Sequence, residues 1–201
     1  MVDHIKSNIS VKNNLVKLCI QNLHDHVQTI TSLEKNITDI IYYSEKIAER
    51  LKNGGKIYWC GNGGSASDCQ HLSAEFVCRF KKDRRALSSI SLTTDTSALT
   101  AIANDYDFES IFARQIEANM NCNDVLIAIS TSGKSKNIIK ALETSRNMNI
   151  LSIALTGKDG GEMKNSTENI IYVDSFDTAR IQEVHIFIGH LICQIIEEIL
   201  L

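Results

Sequence analysis

Five short runs of apolar and β-branched residues are separated by longer stretches with helical spacing, and three of the five pass directly into loops of small residues. The runs are Lys56 to Cys60, Ala86 to Leu92, Asp124 to Ser130, Ile150 to Thr156 and Asn169 to Val173. Apolar strands that alternate with helices predict an α/β fold, a parallel sheet covered by helices on both faces. The loops are Gly61-Asn62-Gly63-Gly64-Ser65, Ser130-Thr131-Ser132-Gly133-Lys134-Ser135 and Thr156-Gly157-Lys158-Asp159-Gly160-Gly161. Open α/β sheets bind ligands outside the carboxyl ends of their strands, so the three loops are expected to converge on one crevice.

Helical sequence flanks this core. From about Asn14 to Leu51 there is no Gly or Pro, and apolar side chains recur at helical spacing, which predicts one long helix or a helical hairpin. The break is placed in the polar stretch Thr29 to Asn36, where Thr31-Ser32-Leu33-Glu34 resembles a capping signature, and Asn53-Gly54-Gly55 ends the pattern. The expected organisation is a helical segment over 1–53, packing on the core and in an oligomer, and an α/β domain over 54–201. Thr178 to Leu200 reads as a helix apolar nearly all round, which suggests contact with another subunit as well as its own.

Composition closes off several function classes. A chain of 201 residues with 43% hydrophobic and 22% charged residues is ordinary for one globular unit. A net charge of −3, read with no block of basic residues, gives no footprint for nucleic acid or an anionic membrane surface. No stretch reaches the length of a membrane span, and the N-terminus, with Asp3 and polar residues close behind, lacks a signal peptide's apolar core. A cytoplasmic protein is expected. Its six cysteines contain no Cys-x-x-Cys pair and read as reduced, mostly buried thiols.

Ser130 to Ser135 offers four hydroxyls in six residues at an expected helix start. Free backbone N–H groups, the helix dipole and hydroxyl donors suit a phosphate there, whereas an ordinary Ser/Thr-rich cap is the plainer reading. Gly61 to Ser65 is neither a dinucleotide fingerprint nor a Walker loop, and its glycines permit either close approach to a ligand or a tight turn. His71 and Glu75 are four residues apart on the helix expected after that loop, so they share a face. Such a pair serves proton transfer or metal binding, or is a plain exposed polar pair. His190 interrupts an apolar helix, where a buried structural histidine is the alternative, and His185 reads as structural or solvent-facing.

The ordered set of Cys60 to Ser65, Asp68, His71, Glu75, Asn104-Asp105, Ile129 to Gly133, Leu155 to Gly161 and Arg180-Ile181-Gln182-Glu183 resembles the phosphoheptose isomerase family, of the sugar-isomerase (SIS) fold. The resemblance covers nearly the whole chain. It implies a three-layer sandwich with a five-stranded parallel sheet flanked by helices, an N-terminal helical region, and a homotetramer with active sites at subunit interfaces. It implies that Ser130, Thr131, Ser132 and Ser135 hold the phosphate. Asn62, Gly63, Gly64, Ser65, Glu75, Asn104, Asp105 and Gln182 then bind the substrate, with Glu75 and His190 as the catalytic carboxylate and histidine. It also implies one zinc ion per subunit, held by His71, Glu75, Gln182 and His190.

The implied reaction converts sedoheptulose 7-phosphate to D-glycero-D-manno-heptose 7-phosphate through an enediol, the first step of nucleotide-activated heptose synthesis for bacterial surface polysaccharide. Two alternatives remain at this stage: a non-catalytic SIS regulator of replication initiation, and an isomerase of another sugar phosphate. The family-like regulator lacks a carboxylate at the position of Glu75, so Glu75, Gln182 and His190 together favour an enzyme. On one unbroken helix Gln182 and His190 stand about 12 Å apart along the axis, so either the helix starts after Gln182 or the two meet from different subunits, and the second is expected. Ala179 stands where some relatives carry an acidic residue, which removes a possible acceptor near the sugar.

Overall fold

The computed structural model describes residues 2–201, with side chains from residue 11 onward; residue 1 of the expected N-terminal segment lies outside the described residues. Two helices, α1 (Val2–Thr31) and α2 (Ile37–Lys52), are joined by a 3-10 turn over Ser32–Asn36. There follow β1 (Ile57–Gly61), α3 (Gly64–Val77), β2 (Ser89–Ser91), α4 (Thr96–Asp105), α5 (Ala113–Asn119), β3 (Val125–Ser130), α6 (Lys136–Asn147), β4 (Leu151–Gly157), β5 (Ile170–Val173) and α7 (Thr178–Leu200). All five expected strands form. They pair in parallel in the order β2-β1-β3-β4-β5.

Alternation along each strand divides the core between the two faces of the sheet. Ile57, Trp59, Val125, Ile127, Ile129, Ile153 and Leu155 pack with α2, α3 and α7 through Ile47, Leu72, Phe76, Ile188 and Ile192. Tyr58, Cys60, Leu126, Ala128 and Ala154 point the other way, against α5 and α6 through Ile116, Ile138 and Leu142. Strands buried on both faces explain why these runs lack polar alternation. Each fully buried aliphatic side chain contributes about 1.5–3 kcal/mol. Three layers result, as expected for the SIS architecture.

Four local expectations need correction. The break between α1 and α2 falls where expected, but Thr31 keeps helical dihedrals (φ −63°, ψ −35°) and makes no side-chain cap. A capping residue must leave the helical region to turn its hydroxyl onto the next turn, and here the chain simply tightens into a 3-10 turn. The run Ala86 to Leu92 pairs only over Ser89–Ser91, because β2 is an edge strand with β1 as its one neighbour. Half the thiols, those of Cys19, Cys78 and Cys122, are exposed rather than buried.

The fourth concerns charge. Residues 79–85 carry five cations around Phe80 and Asp83, a density the overall balance hides. Most are drawn onto the C-terminal half of α7. Lys81 Nζ donates to Gln194 Oε1 (2.8 Å), Lys82 pairs with Glu198 (2.7 Å) and Arg84 with the buried Glu197 (2.9 Å), so three of the five cations are engaged by one helix.

His185 on α7 is wholly buried, so it is structural and not solvent-facing, and neither ring nitrogen has a well-formed hydrogen bond. Burial pushes its pKa down to about 4, a backbone group of Thr156 compensating only weakly. The unfolded chain therefore binds a proton that the folded chain refuses between about pH 4 and the ordinary imidazole value of about 6.5. Stability from this group is complete above pH 6.5 and is lost as pH falls towards 4. We expect His185→Leu to flatten the decline in melting temperature over that window, as read by calorimetry at several pH values; a variant curve parallel to wild type refutes the assignment.

Candidate active site

The sheet order places a topological switch point between β1 and β3, where the chain leaves in opposite directions and the strand ends part. Both strands there end in the motifs singled out above. The loop after β1 leads into α3 and that after β3 into α6, so two helix starts open on the same crevice. The loop after β4 adjoins on the far side: Gly157 N donates to Thr131 O (3.1 Å), and Glu162 N and Met163 N both donate to Gly133 O (2.8 and 3.0 Å). Gly133, at φ +63°, lies so close to Gly160 and Gly161 that a Cβ has no room. That contact fixes the loop from behind.

Ser130 Oγ donates to Ser135 Oγ (3.1 Å), and Ser132 Oγ accepts from Lys134 N (3.2 Å). Ser135 is the N-cap of α6 but makes no capping bond with its own hydroxyl, so the amides of Lys136 and Asn137 stay available to an anion, while Ile138 N donates to Ser135 O (3.0 Å). A cavity of about 170 Å³ opens beside Thr131, Ser132, Lys134 and Lys158, which adds two cations to the donor set. A bigger cavity, about 490 Å³, lies at the amino ends of β4 and β5, away from every motif residue.

Across the switch point Asn62 Nδ2 donates to Asn137 Oδ1 (2.9 Å), and Asn137 Nδ2 donates back to Asn62 Oδ1 (2.8 Å). This closed amide pair ties the sugar-side loop to the phosphate-side helix. Asn137 is 3% exposed and escaped the sequence reading; its only signal there was a polar residue in the first turn of α6.

A second group gathers where α3 and α7 begin. Gly63 caps α3 at φ 54°, Ser65 is buried, and Gly64 lies against the Gln182 amide so closely that a Cβ there would displace that amide. Burial raises the pKa of Asp68, opposed by its hydrogen bond with Gln182 and by the nearby His71. With Ala179, Glu183 and Ile186, these two residues line a cavity of about 290 Å³.

The third group sits further along the same two helices. His71 Nε2 and His190 Nε2 are 3.0 Å apart, and His71 Nε2 is 3.6 Å from Glu75 Oε1. Burial lowers the His190 pKa, His71 adds to that, and Glu75 opposes it. Two imidazoles that aim the same nitrogen at each other can share one proton or jointly face a cation. Zinc–nitrogen bonds of about 2.0–2.1 Å set tetrahedral ligand atoms about 3.3 Å apart, so the two histidines have nearly that spacing. Yet among the described residues no three His, Cys, Asp or Glu side chains form a ready-made metal site.

Gln182 does not join that group within the chain. It touches Gly64 while His190 meets His71, seven residues further along α3, or about 10 Å by helical rise. Asn104 and Asp105 stand apart as well. They are exposed at the end of α4, bonded to each other (Asn104 Nδ2 to Asp105 Oδ1, 2.8 Å), with no hydrogen bond to the crevice among the described residues.

The SIS domain model matches residues 21–157. Phosphoheptose isomerase 1 of Campylobacter jejuni is 50% identical over 184 residues, 92% of this chain and 99% of that protein. The chain belongs to the phosphoheptose isomerase family. Two solved members superpose closely. The phosphoheptose isomerase of Neisseria gonorrhoeae has a TM-score of 0.87 at 38% identity, over 92% of this chain and 99% of that one. That of Francisella tularensis has a TM-score of 0.88 at 34% identity, over 91% and 98%. Family membership gives the chain its substrate class, a sugar phosphate, and makes it an aldose-ketose isomerase.

Proposed function

We propose that this protein interconverts sedoheptulose 7-phosphate and D-glycero-D-manno-heptose 7-phosphate, with the phosphate at the start of α6 and the sugar reaching towards α3 and α7. The observation that carries this reading is the convergence of Glu75, His71 and His190 on helices whose starts border the phosphate loop. Moving the carbonyl from C2 to C1 needs a proton to leave C1 and another to reach C2. Glu75 takes the proton from C1 and returns it at C2, and His190 exchanges protons with the two oxygens of the enediol. Ser130, Thr131, Ser132 and Ser135 hold the phosphate and so fix the distance to the reacting carbons. Asn62, Gly63, Gly64, Ser65 and Gln182 border the chain between them.

Within one chain Gln182, Asn104 and Asp105 stay apart from the acid–base group, which supports a site completed by a neighbouring subunit. The apolar Leu15, Leu18, Leu23 and Val27, all exposed on α1, supply a face for such a homotetramer. His71, Glu75 and His190 of one chain with Gln182 of another would hold zinc, which when bound polarises the carbonyl. Exposed free thiols suit a reducing cytoplasm, and the described residues contain no helix long and apolar enough to cross a membrane. Heptose phosphate made there would serve bacterial surface polysaccharide, as lipopolysaccharide core or capsule.

Purified protein, with zinc added or chelated, should convert sedoheptulose 7-phosphate far better than arabinose 5-phosphate or fructose 6-phosphate, as followed by NMR of the sugar anomeric signals. Faster turnover of either shorter sugar, or none of the heptulose with zinc present, would overturn the assignment.

A further inference from the structure

His190 is gripped on two sides. Its Nε2 edge meets His71, the rings lying 5.2 Å apart at 74°, while one face is covered by Phe80, centroids 5.2 Å apart and planes at 15°. An imidazole turns freely about its last torsion unless packing sets the plane, so the stacked phenyl is what orients the ring towards a substrate. Phe80 belongs to neither helix nor strand; it lies in the connection between α3 and β2.

What keeps Phe80 there is a buried node. The Glu197 carboxylate, on α7 two turns beyond His190, accepts from Phe80 N (3.0 Å), Lys81 N (3.0 Å) and Lys82 N (3.1 Å), and from Arg84 Nε (2.9 Å). Arg84 in turn donates through Nη2 to Glu75 O (2.8 Å) and through Nη1 to Phe76 O (2.9 Å). The ion pair is almost sealed, with side-chain exposures of 2% and 1%. One network thus joins the last turn of α3, which carries Glu75, to the α7 helix, which carries His190, and it lays Phe80 on the histidine between them.

We propose that Phe80 is a positioning residue for the isomerase reaction: its ring fixes the plane of the His190 imidazole, and Glu197 with Arg84 fixes Phe80. The proposal rests on the reading of His190 as a proton-transfer group. A misplaced catalytic ring lowers turnover more than binding, because the phosphate and sugar contacts lie elsewhere.

The test uses the full-length protein, in the metal state in which it is isolated, as wild type, Phe80→Leu and Phe80→Tyr. Three quantities are measured: kcat and KM for sedoheptulose 7-phosphate, melting temperature, and the histidine ring-proton signals, with His190 assigned by its loss in His190→Gln. Phe80→Leu should lower kcat about 10- to 100-fold with KM within about threefold. It should also move the His190 ring signals downfield, since protons over a phenyl face are shielded. Phe80→Tyr should restore both, which a merely structural role would not require. Unmoved His190 signals in Phe80→Leu, kcat within about twofold of wild type, or a tyrosine variant as impaired as leucine each overturns the proposal. If wild type itself shows no turnover, the isomerase reading fails and the catalytic role with it, while the ring signals still decide whether the stack exists.

Discussion

Replacing Glu75 by Gln is expected to lower kcat for sedoheptulose 7-phosphate by about 10²–10⁴-fold, with KM little changed. The two side chains have the same shape, but an amide cannot accept a proton from carbon. The surroundings should hold, because Glu75 is tied down by its backbone: its carbonyl accepts from Arg84 Nη2 at 2.8 Å. Its side chain is 23% exposed, so the neutral replacement leaves no buried group stranded. The decisive measurement is hydrogen exchange in D2O. Wild type should wash solvent deuterium into C1 of the ketose and C2 of the aldose, and Glu75→Gln should not. Exchange at the wild-type rate in a folded variant would move the base elsewhere, and His71, 3.6 Å away, would be the next residue to test.

The largest effect on stability is expected from Glu197→Ala, at about 3–5 kcal/mol, because the change leaves the Arg84 charge buried without a partner and three backbone N–H groups without an acceptor. At roughly 2–4 °C per kcal/mol for a chain of this size, that is a fall of about 6–20 °C in melting temperature. Burial alone raises this carboxyl, but the N–H groups of Lys81, Phe80 and Lys82 and the Arg84 charge hold it below the ordinary carboxylate value. Its folded pKa is therefore depressed, and its stabilisation is present above the unfolded value and lost as pH falls through the folded one. Calorimetry near neutral pH checks the prediction. A shift under about 2 °C would mean that the node adds little beyond the packing around it.

That node shows where reading the sequence reached its limit. The segment Arg79 to Arg85 shows five cations in a row of seven residues, and α7 shows Glu197 and Glu198, yet nothing local couples them. Arg84 and Glu197 are 113 positions apart, and the long α7 had to run beside α3 before their pairing existed. Asn137 was passed over for the same reason: its amide has meaning only opposite Asn62, 75 positions away across the switch point. His190 was legible as a polar interruption of an apolar helix, but the two rings that grip it come from another helix and from a loop.

What the sequence determined by itself was everything local. The helical spacing before Gly54 and the shared face of His71 and Glu75 follow from a period of 3.6 residues, continuous apolar runs mark strands buried on both faces, and small-residue loops mark the α3 and α6 starts. The ordered motifs added the family. Only the tertiary structure decided the sheet order β2-β1-β3-β4-β5, and with it the neighbouring of the β1 and β3 loops, the Asn62–Asn137 pair and the clamp on His190. It also decided that Gln182 stays with Gly64 while His190 stays with His71. The reason is geometric: a helix fixes spacing along its own axis, but which side chains meet across two helices depends on how they are laid side by side, and that is set by the whole core.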